Sequence, residues 1–275
     1  MQPIKIVADS AADLTALEGV DFSFAPLKIV TAEREFVDDA TLDVREMTDF
    51  LYHYKGRSST ACPNVDNWLS AFGDAERIIC ITITGGLSGS YNAACTAKRL
   101  YEDRYPSRRV HVIDSLSAGP EITLHVERMR EMILEGHDFD EIIASLPTYK
   151  TELLFLLESL RNFANNGRVS KTAAAAAGVF GIRALGRASD EGTLELLAKP
   201  RGAEKSLDAI LTHMEKHGCR GGRVLIAHCF AADTAERLAE KVRAAYPTAT
   251  VRIHPCRGLC SFYAEQGGLL VGYEV

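Results

Sequence analysis

The chain has 275 residues, room for two domains or one large one at roughly 100 to 200 residues each. With 47% hydrophobic, 25% charged and 8% aromatic residues, and only 21 Gly and 9 Pro, it has an ordinary globular composition that excludes fibrous and low-complexity chains. The balance of 31 Lys+Arg against 37 Asp+Glu leaves a net charge of -6, so no field draws in a phosphate backbone and nucleic acid is not an expected partner.

The opening MQPIKIVADSAADL carries one early Lys and then Asp9, without the apolar run and small-residue cleavage site of a signal peptide. Short Ile/Val-rich runs predict buried strands over 4–9, 24–30, 77–84 and 109–115. Between them, Thr41-Leu42-Asp43 precedes a helical pattern over 44–54, Pro63-Asn64 opens another through Phe72, and Ser88-Gly89-Ser90 opens a third that ends near Tyr105-Pro106. Such alternation implies a parallel sheet with helices on both faces.

A second unit is expected to begin near Pro147. The run LLFLLESLRNFANNGRVSK reads as strand, then helix, then a break at Asn165-Asn166-Gly167. RALGRAS and TLELLAKP flank Asp190-Glu191-Gly192, a hairpin signal. A helix over 202–217, a strand at RVLIAHCF, a helix over 232–245 and strands at TVRIHPC and GGLLVGYEV complete a smaller mixed unit. The expected fold is thus two α/β domains: a parallel-sheet N-terminal domain over 1–147 and a smaller mixed α/β C-terminal domain over 148–275. Residues 173–177, all Ala, read as a buried helix, and Trp68, Phe72, Phe155, Phe163 and Phe180 as core residues more than ligand contacts.

No stretch approaches the roughly 18 consecutive apolar residues of a membrane span. Seven scattered cysteines, an odd number, suit thiols in a reducing cytoplasm better than a disulfide framework. His254, Cys256 and Cys260 lack a second Cys/His pair at zinc spacing and read as strand and helix residues, so no metal and no cofactor is expected.

Ligands of parallel sheets bind beyond the carboxyl ends of the strands. There the chain places Asp9-Ser10, Ser58-Ser59-Thr60, TGGLSGS from Thr84 to Ser90, and Asp114-Ser115. Glycines after a strand allow close backbone approach, and the following helix start offers unpaired N–H groups to a phosphate or a carboxylate. Thr84 and Ser88 read equally well as helix caps around a glycine turn. GLSGS also invites comparison with a serine-hydrolase nucleophile elbow, with Ser88 attacking and His228 or His254 as base, but its fifth position is Ser90 instead of Gly. A nucleotide-binding enzyme is the other alternative, although no Gly-Lys pair follows these glycines. Arg168, after the polar turn, is a candidate anion clamp.

These segments, in this order, resemble the DegV family of bacterial fatty-acid-binding proteins. VADSAADL resembles its Asp-Ser-x-x-Asp-Leu opening, SSTACPN its Thr-Ser-x-Pro segment, TGGLSGSYNAA its Ser-Ser-x-Leu-Ser-Gly-Thr-Tyr loop, and VIDS matches directly. LESLRNFANNGRVS and AKPRG resemble the second-half motifs. The resemblance implies a non-catalytic carrier, a monomer that holds one long-chain fatty acid with its acyl chain in the second domain and its carboxylate at the interface. It further implies that Thr60, Thr84, Gly86, Ser88, Gly89, Ser90, Arg168 and Tyr263 surround the carboxylate, and that in a subset of the family a fatty acid kinase is the partner. Kinase-competent relatives usually carry His-x-Gly-Pro-Gly near the end, where this chain reads RGLCSFYAEQGG and places Tyr263 at about the His position. A tyrosine hydroxyl donates a hydrogen bond but is no proton shuttle near neutrality, which implies lipid binding with weak phosphotransfer.

Overall fold

The computed structural model describes residues 3–170 and 182–275. Residues 173–177 and Phe180, read above as helix and core, lie outside this range.

The first part runs β1 (Ile4–Asp9), β2 (Asp21–Ala25), β3 (Lys28–Val30), β4 (Glu35–Val37), α1 (Val44–His53), β5 (Ser59–Ala61), α2 (Val65–Phe72), β6 (Arg77–Thr82), α3 (Ser90–Arg104), β7 (Arg109–Asp114), α4 (Pro120–Leu134) and α5 (Phe139–Ser145). Then come β8 (Thr151–Leu157), α6 (Arg161–Asn165), β9 (Ala184–Ala188), β10 (Leu194–Ala198), α7 (Ala203–Lys216), β11 (Arg223–His228), α8 (Ala232–Ala245), β12 (Thr250–Pro255), α9 (Gly258–Ala264) and β13 (Leu269–Glu274). Among the described residues no helix is long and apolar enough to cross a membrane.

Three sheets result. Strands β2-β1-β6-β7 form an all-parallel sheet, as the strand–helix alternation predicts. Strands β10-β9-β8-β13-β11-β12 form a mixed sheet in which only β11 and β12 pair in parallel. The second sheet is therefore the wider of the two. A short antiparallel sheet, β4-β3-β5, completes the set.

The single strand expected over 24–30 is two strands in two sheets. Pro26 lacks the N–H a ladder needs, so the parallel pairing of β2 stops at Ala25. The Leu27 amide turns instead to Ser10 Oγ at 3.0 Å, and β3 starts an antiparallel pairing. Locally capped helices start where the residues predict: Asp43 accepts from the Glu46 amide, and Asn64 and Asn67 form a reciprocal capping box.

Helix α4, which is not among the elements expected above, lies between the two large sheets. Pro120 sits at its first turn after Gly119 in a positive-φ conformation, and Ile122, Val126, Met129 and Met132 join the core beneath β1 and β6. Its first turn presses so closely on β13 that a Cβ at Gly272 would lie 2.8 Å from the Glu121 nitrogen. Helix α9 crosses in the other direction. Its Phe262 joins Ile29, Phe36 and Met47, while Asp38, fully buried, accepts from the Gly258 and Leu259 amides at 2.9 Å each. A carboxylate at a helix start satisfies two orphan donors and the positive helix end together.

Candidate ligand site

A cavity of about 320 Å³ opens between the carboxyl end of β6, with the loops that follow it, and the β8–β13 face of the mixed sheet. Its volume is at the lower end of the range of about 300 to 1,000 Å³ for small-molecule pockets. Side chains alternate along β8, so Leu153, Phe155 and Leu157 all point into it. Leu270 of β13, Leu194 of β10, and Leu27, Ile83, Leu87 and Leu259 close the wall. Phe155 and Phe163, read above as core, both line this space; their apolar context in sequence is the same whichever side of a strand or helix holds a void.

Polar groups gather at one end. Thr60 arrives on β5, placed by the antiparallel register Ile29↔Thr60, and Tyr263 arrives on α9. Their hydroxyls lie 2.8 Å apart. The pair carries two hydrogens and spends one on this bond, so one O–H remains to donate outward. Burial raises the Tyr263 phenol above its ordinary pKa, against smaller downward effects of the Thr60 hydrogen bond and of Arg168 nearby, which keeps it protonated. Its ring stacks on Phe163, centroids 4.5 Å apart.

Arg168 lines the same end. Its Nε donates to Leu87 O at 3.2 Å and its Nη1 to Asn166 O at 2.5 Å, so backbone carbonyls hold the guanidinium in place. Asn162, on the helix before it, donates Nδ2 to Phe262 O at 2.7 Å and thereby ties the turn to α9. Ser88 and Gly89 also line the cavity. Gly89 is the N-cap of α3 and supplies no side chain to the first-turn amides, which leaves the positive end of a 15-residue helix beside the polar groups.

The remaining three candidates stand elsewhere. Thr84 is buried outside the lining and donates to Gly192 O at 2.8 Å, while its Oγ1 accepts from the Gly86 amide at 3.1 Å. Both residues clasp the β9–β10 hairpin tip to the β6 loop. Gly192 has φ +72, and a Cβ there would fall 2.1 Å from Thr84 Oγ1. Ser90, fully buried, donates to Asp9 Oδ2 at 2.6 Å. Asp9 also accepts from the Ile83 and Ala11 amides, and burial pushes its pKa up to about 6 despite these bonds. The Asp114 carboxylate accepts from Gly85 and Leu116 amides and so shapes the same loops.

His228 and His254 do not meet Ser88. The His228 ring accepts from the Ala231 amide, His254 Nε2 is buried, and neither ring lines the cavity. Cys62, inside the SSTACPN segment, and Cys260, weighed above only as a zinc ligand, do line it; burial drives the Cys260 thiol well above its ordinary pKa, so it is a small apolar group there. The site is thus a narrow apolar chamber with hydroxyls, a guanidinium and a helix start at one end, an arrangement suited to an amphipathic anion.

The family model "Uncharacterised protein, DegV family" matches residues 3–274. A DegV domain-containing protein of Streptococcus pneumoniae is 44% identical over 277 residues, which cover 98% of this chain and 99% of that one. Among solved structures, a DegV family protein from Eubacterium eligens loaded with heptadecanoic acid matches with a TM-score of 0.97 and 44% identity over 99% of both chains. The Streptococcus pneumoniae Fatty Acid Kinase (Fak) B3 protein loaded with linoleic acid matches with a TM-score of 0.98 and 43% identity over 100% of both.

Proposed function

Because this chain belongs to the DegV family, we propose that it is a non-catalytic carrier of one long-chain fatty acid. The observation that carries this reading is the chamber itself: apolar walls from Leu153, Phe155, Leu157 and Leu270 that end at Thr60, Tyr263 and Arg168. The acyl chain lies along the mixed sheet of 148–275. The carboxylate meets groups from both halves, with Thr60, Ser88 and Gly89 on one side and Arg168 and Tyr263 on the other. Thr84, Gly86 and Ser90 act behind them by holding the loop.

The energetics suit binding without catalysis. About fifteen methylenes at ~0.8 kcal/mol each contribute on the order of 12 kcal/mol gross, against an association cost of roughly 4 to 15 kcal/mol. Charge-assisted hydrogen bonds at ~1.5 to 3 kcal/mol each then decide whether the acid is held tightly. A kinase that phosphorylates the acyl carboxylate is the partner that this head-group position fits, and the likeness to a fatty acid kinase B3 protein supports it. Tyr263 offers that reaction a donor and no proton exchange near neutral pH. All seven cysteines are free thiols, which supports a reducing cytoplasm as the place of action.

Native mass spectrometry of the tag-free protein tests the reading: one chain should carry the mass of one long-chain acid. Delipidated protein that fails to take up a fluorescent fatty acid, or from which an unlabelled long-chain acid fails to displace it, would sink it.

A further inference from the structure

The alternation that turns Leu153, Phe155 and Leu157 into the chamber turns Glu152, Leu154 and Leu156 to the opposite face of the mixed sheet, where Leu154 and Leu156 pack with α7 and α8. On that face the last turn of α7 and its C-cap bring two histidines against the strand. His213 and His217 are four residues apart and so project from one side of the helix, their rings stacked with centroids 3.9 Å apart. His217 Nδ1 lies 3.0 Å from Glu152 Oε1. One ligand atom from each of Glu152, His213 and His217 lies within 4.8 Å of the others.

Three features make this more than a chance ion pair. First, His213 Nε2 is shielded from solvent and has no hydrogen-bond partner among the described residues, so a buried nitrogen here lacks the partner such groups normally have. Second, Tyr273, paired with Glu152 across β13 and β8, donates its hydroxyl to Glu152 Oε2 at 2.9 Å and orients the carboxylate from behind. Third, the competing cation is already engaged: Arg187 Nη1 is 3.9 Å from Glu152 Oε1, but its Nε bonds Glu195 at 2.7 Å and its Nη1 bonds Asp190 at 3.4 Å.

We propose that Glu152, His213 and His217 form a binding site for one divalent ion of the zinc class, bound by two imidazoles and one carboxylate with water in the fourth position. This donor set is a recurrent one for zinc, and tetrahedral coordination at about 2.0 to 2.1 Å places ligand atoms roughly 3.3 Å apart. The three ligand atoms already lie within 4.8 Å of one another, with His217 Nδ1 and Glu152 Oε1 at 3.0 Å. The ion would staple the carboxyl end of α7 to β8 on the face remote from the chamber. His213 and His217 stand at the His-x-x-x-His spacing that zinc sites use, a sequence signal passed over above in favour of His254, Cys256 and Cys260, whereas Glu152 carries no such mark.

The test uses the full-length, tag-free protein after chelator treatment, titrated with zinc chloride by calorimetry and with cobalt(II) by visible absorption. The expected result is one equivalent, a tetrahedral cobalt spectrum without a sulfur charge-transfer band, and a rise in Tm on zinc addition. His217→Gln and Glu152→Gln should each weaken zinc at least tenfold and abolish the Tm rise, while fatty-acid displacement stays within twofold of wild type. His217 is the more accessible of these positions, and its variant can be checked for native circular dichroism before titration. No heat and no cobalt spectrum with the wild type would overturn the proposal. So would a sulfur charge-transfer band, or zinc affinity unchanged in both variants.

Discussion

The two large sheets share the same two-residue alternation and use it to different ends. In the parallel sheet both faces are dry: Ile6, Ala8, Ile79 and Ile81 enter a core with α4 and α5, and Val7, Ile78 and Cys80 enter a second core beneath α2 and α3. In the mixed sheet one face, with Leu154, Leu156, Val224, Ile226 and Val271, closes in the same way under α7 and α8. The other face, with Leu153, Phe155, Leu157 and Leu270, borders the chamber. Crossover helices cover a parallel sheet by construction, whereas antiparallel neighbours need no crossover and can leave a face to loops. Space for a ligand thus arises on the mixed sheet.

The sharpest break of this comparison uses two adjacent residues. Leu154→Ala, on the dry face, should cost about 3 kcal/mol or more in urea unfolding, within the usual ~2 to 5 kcal/mol for a buried leucine. Leu153→Ala, facing the chamber, should cost less than half as much in delipidated protein and instead weaken fatty-acid binding. Equal losses would mean that the chamber face is packed as tightly as the core.

At the polar end, Thr60→Val and Tyr263→Phe should each reduce fatty-acid affinity by ~1.5 to 3 kcal/mol, roughly ten- to a hundredfold, in a displacement assay. Because the two hydroxyls share one bond, the double variant should lose less than the sum. Ser90→Ala is the contrast: its hydroxyl serves buried Asp9, so stability should fall while affinity holds. An affinity loss for Ser90→Ala as large as that for Thr60→Val would place the carboxylate deeper in the loop.

Gly192→Ala sharpens the role of the hairpin clasp. Positive φ and the approach to Thr84 Oγ1 should together cost about 1 to 3 kcal/mol, read as a lowered Tm, with no change in the chemistry of the polar end.

The smallest effect concerns the carboxylates at the seam. Burial raises Asp13 to about 7, with the nearby Asp38 adding to the rise, and raises Asp9 to about 6. The folded chain therefore holds these protons more tightly than the unfolded chain. Their contribution to stability is complete below the ordinary carboxylate value and is lost as pH rises through about 6 to 7. Asp13→Asn retains an oxygen for the Arg257 amide and cannot ionise. Its Tm relative to wild type should rise between about pH 5 and about pH 8, and a flat difference would show that Asp13 ionises as freely folded as unfolded.

Much of the fold was legible because its signals are local. Ile/Val runs mark strands covered on both faces, Asp43 and Asn64 cap helices that begin within three residues of them, and Asp190-Glu191-Gly192 turns a hairpin between its own strands. Two of the elements that were missed have the opposite property. Helix α9 is capped by Asp38, 220 residues away, and β5 exists only because β3 pairs with it. The family resemblance pointed to hydroxyls of one kind at Thr60, Thr84, Ser88 and Ser90. Only the packed chain decides that Thr84 is spent on Gly192 and Ser90 on Asp9, whereas Thr60 meets Tyr263 across 203 residues. The residue types themselves, and those helices and strands whose signals are local, were determined by sequence alone. Which hydroxyls face the chamber, and which histidines share a space with Glu152, was decided by tertiary structure, because a hydroxyl or an imidazole carries no local mark of the partner that folding brings to it.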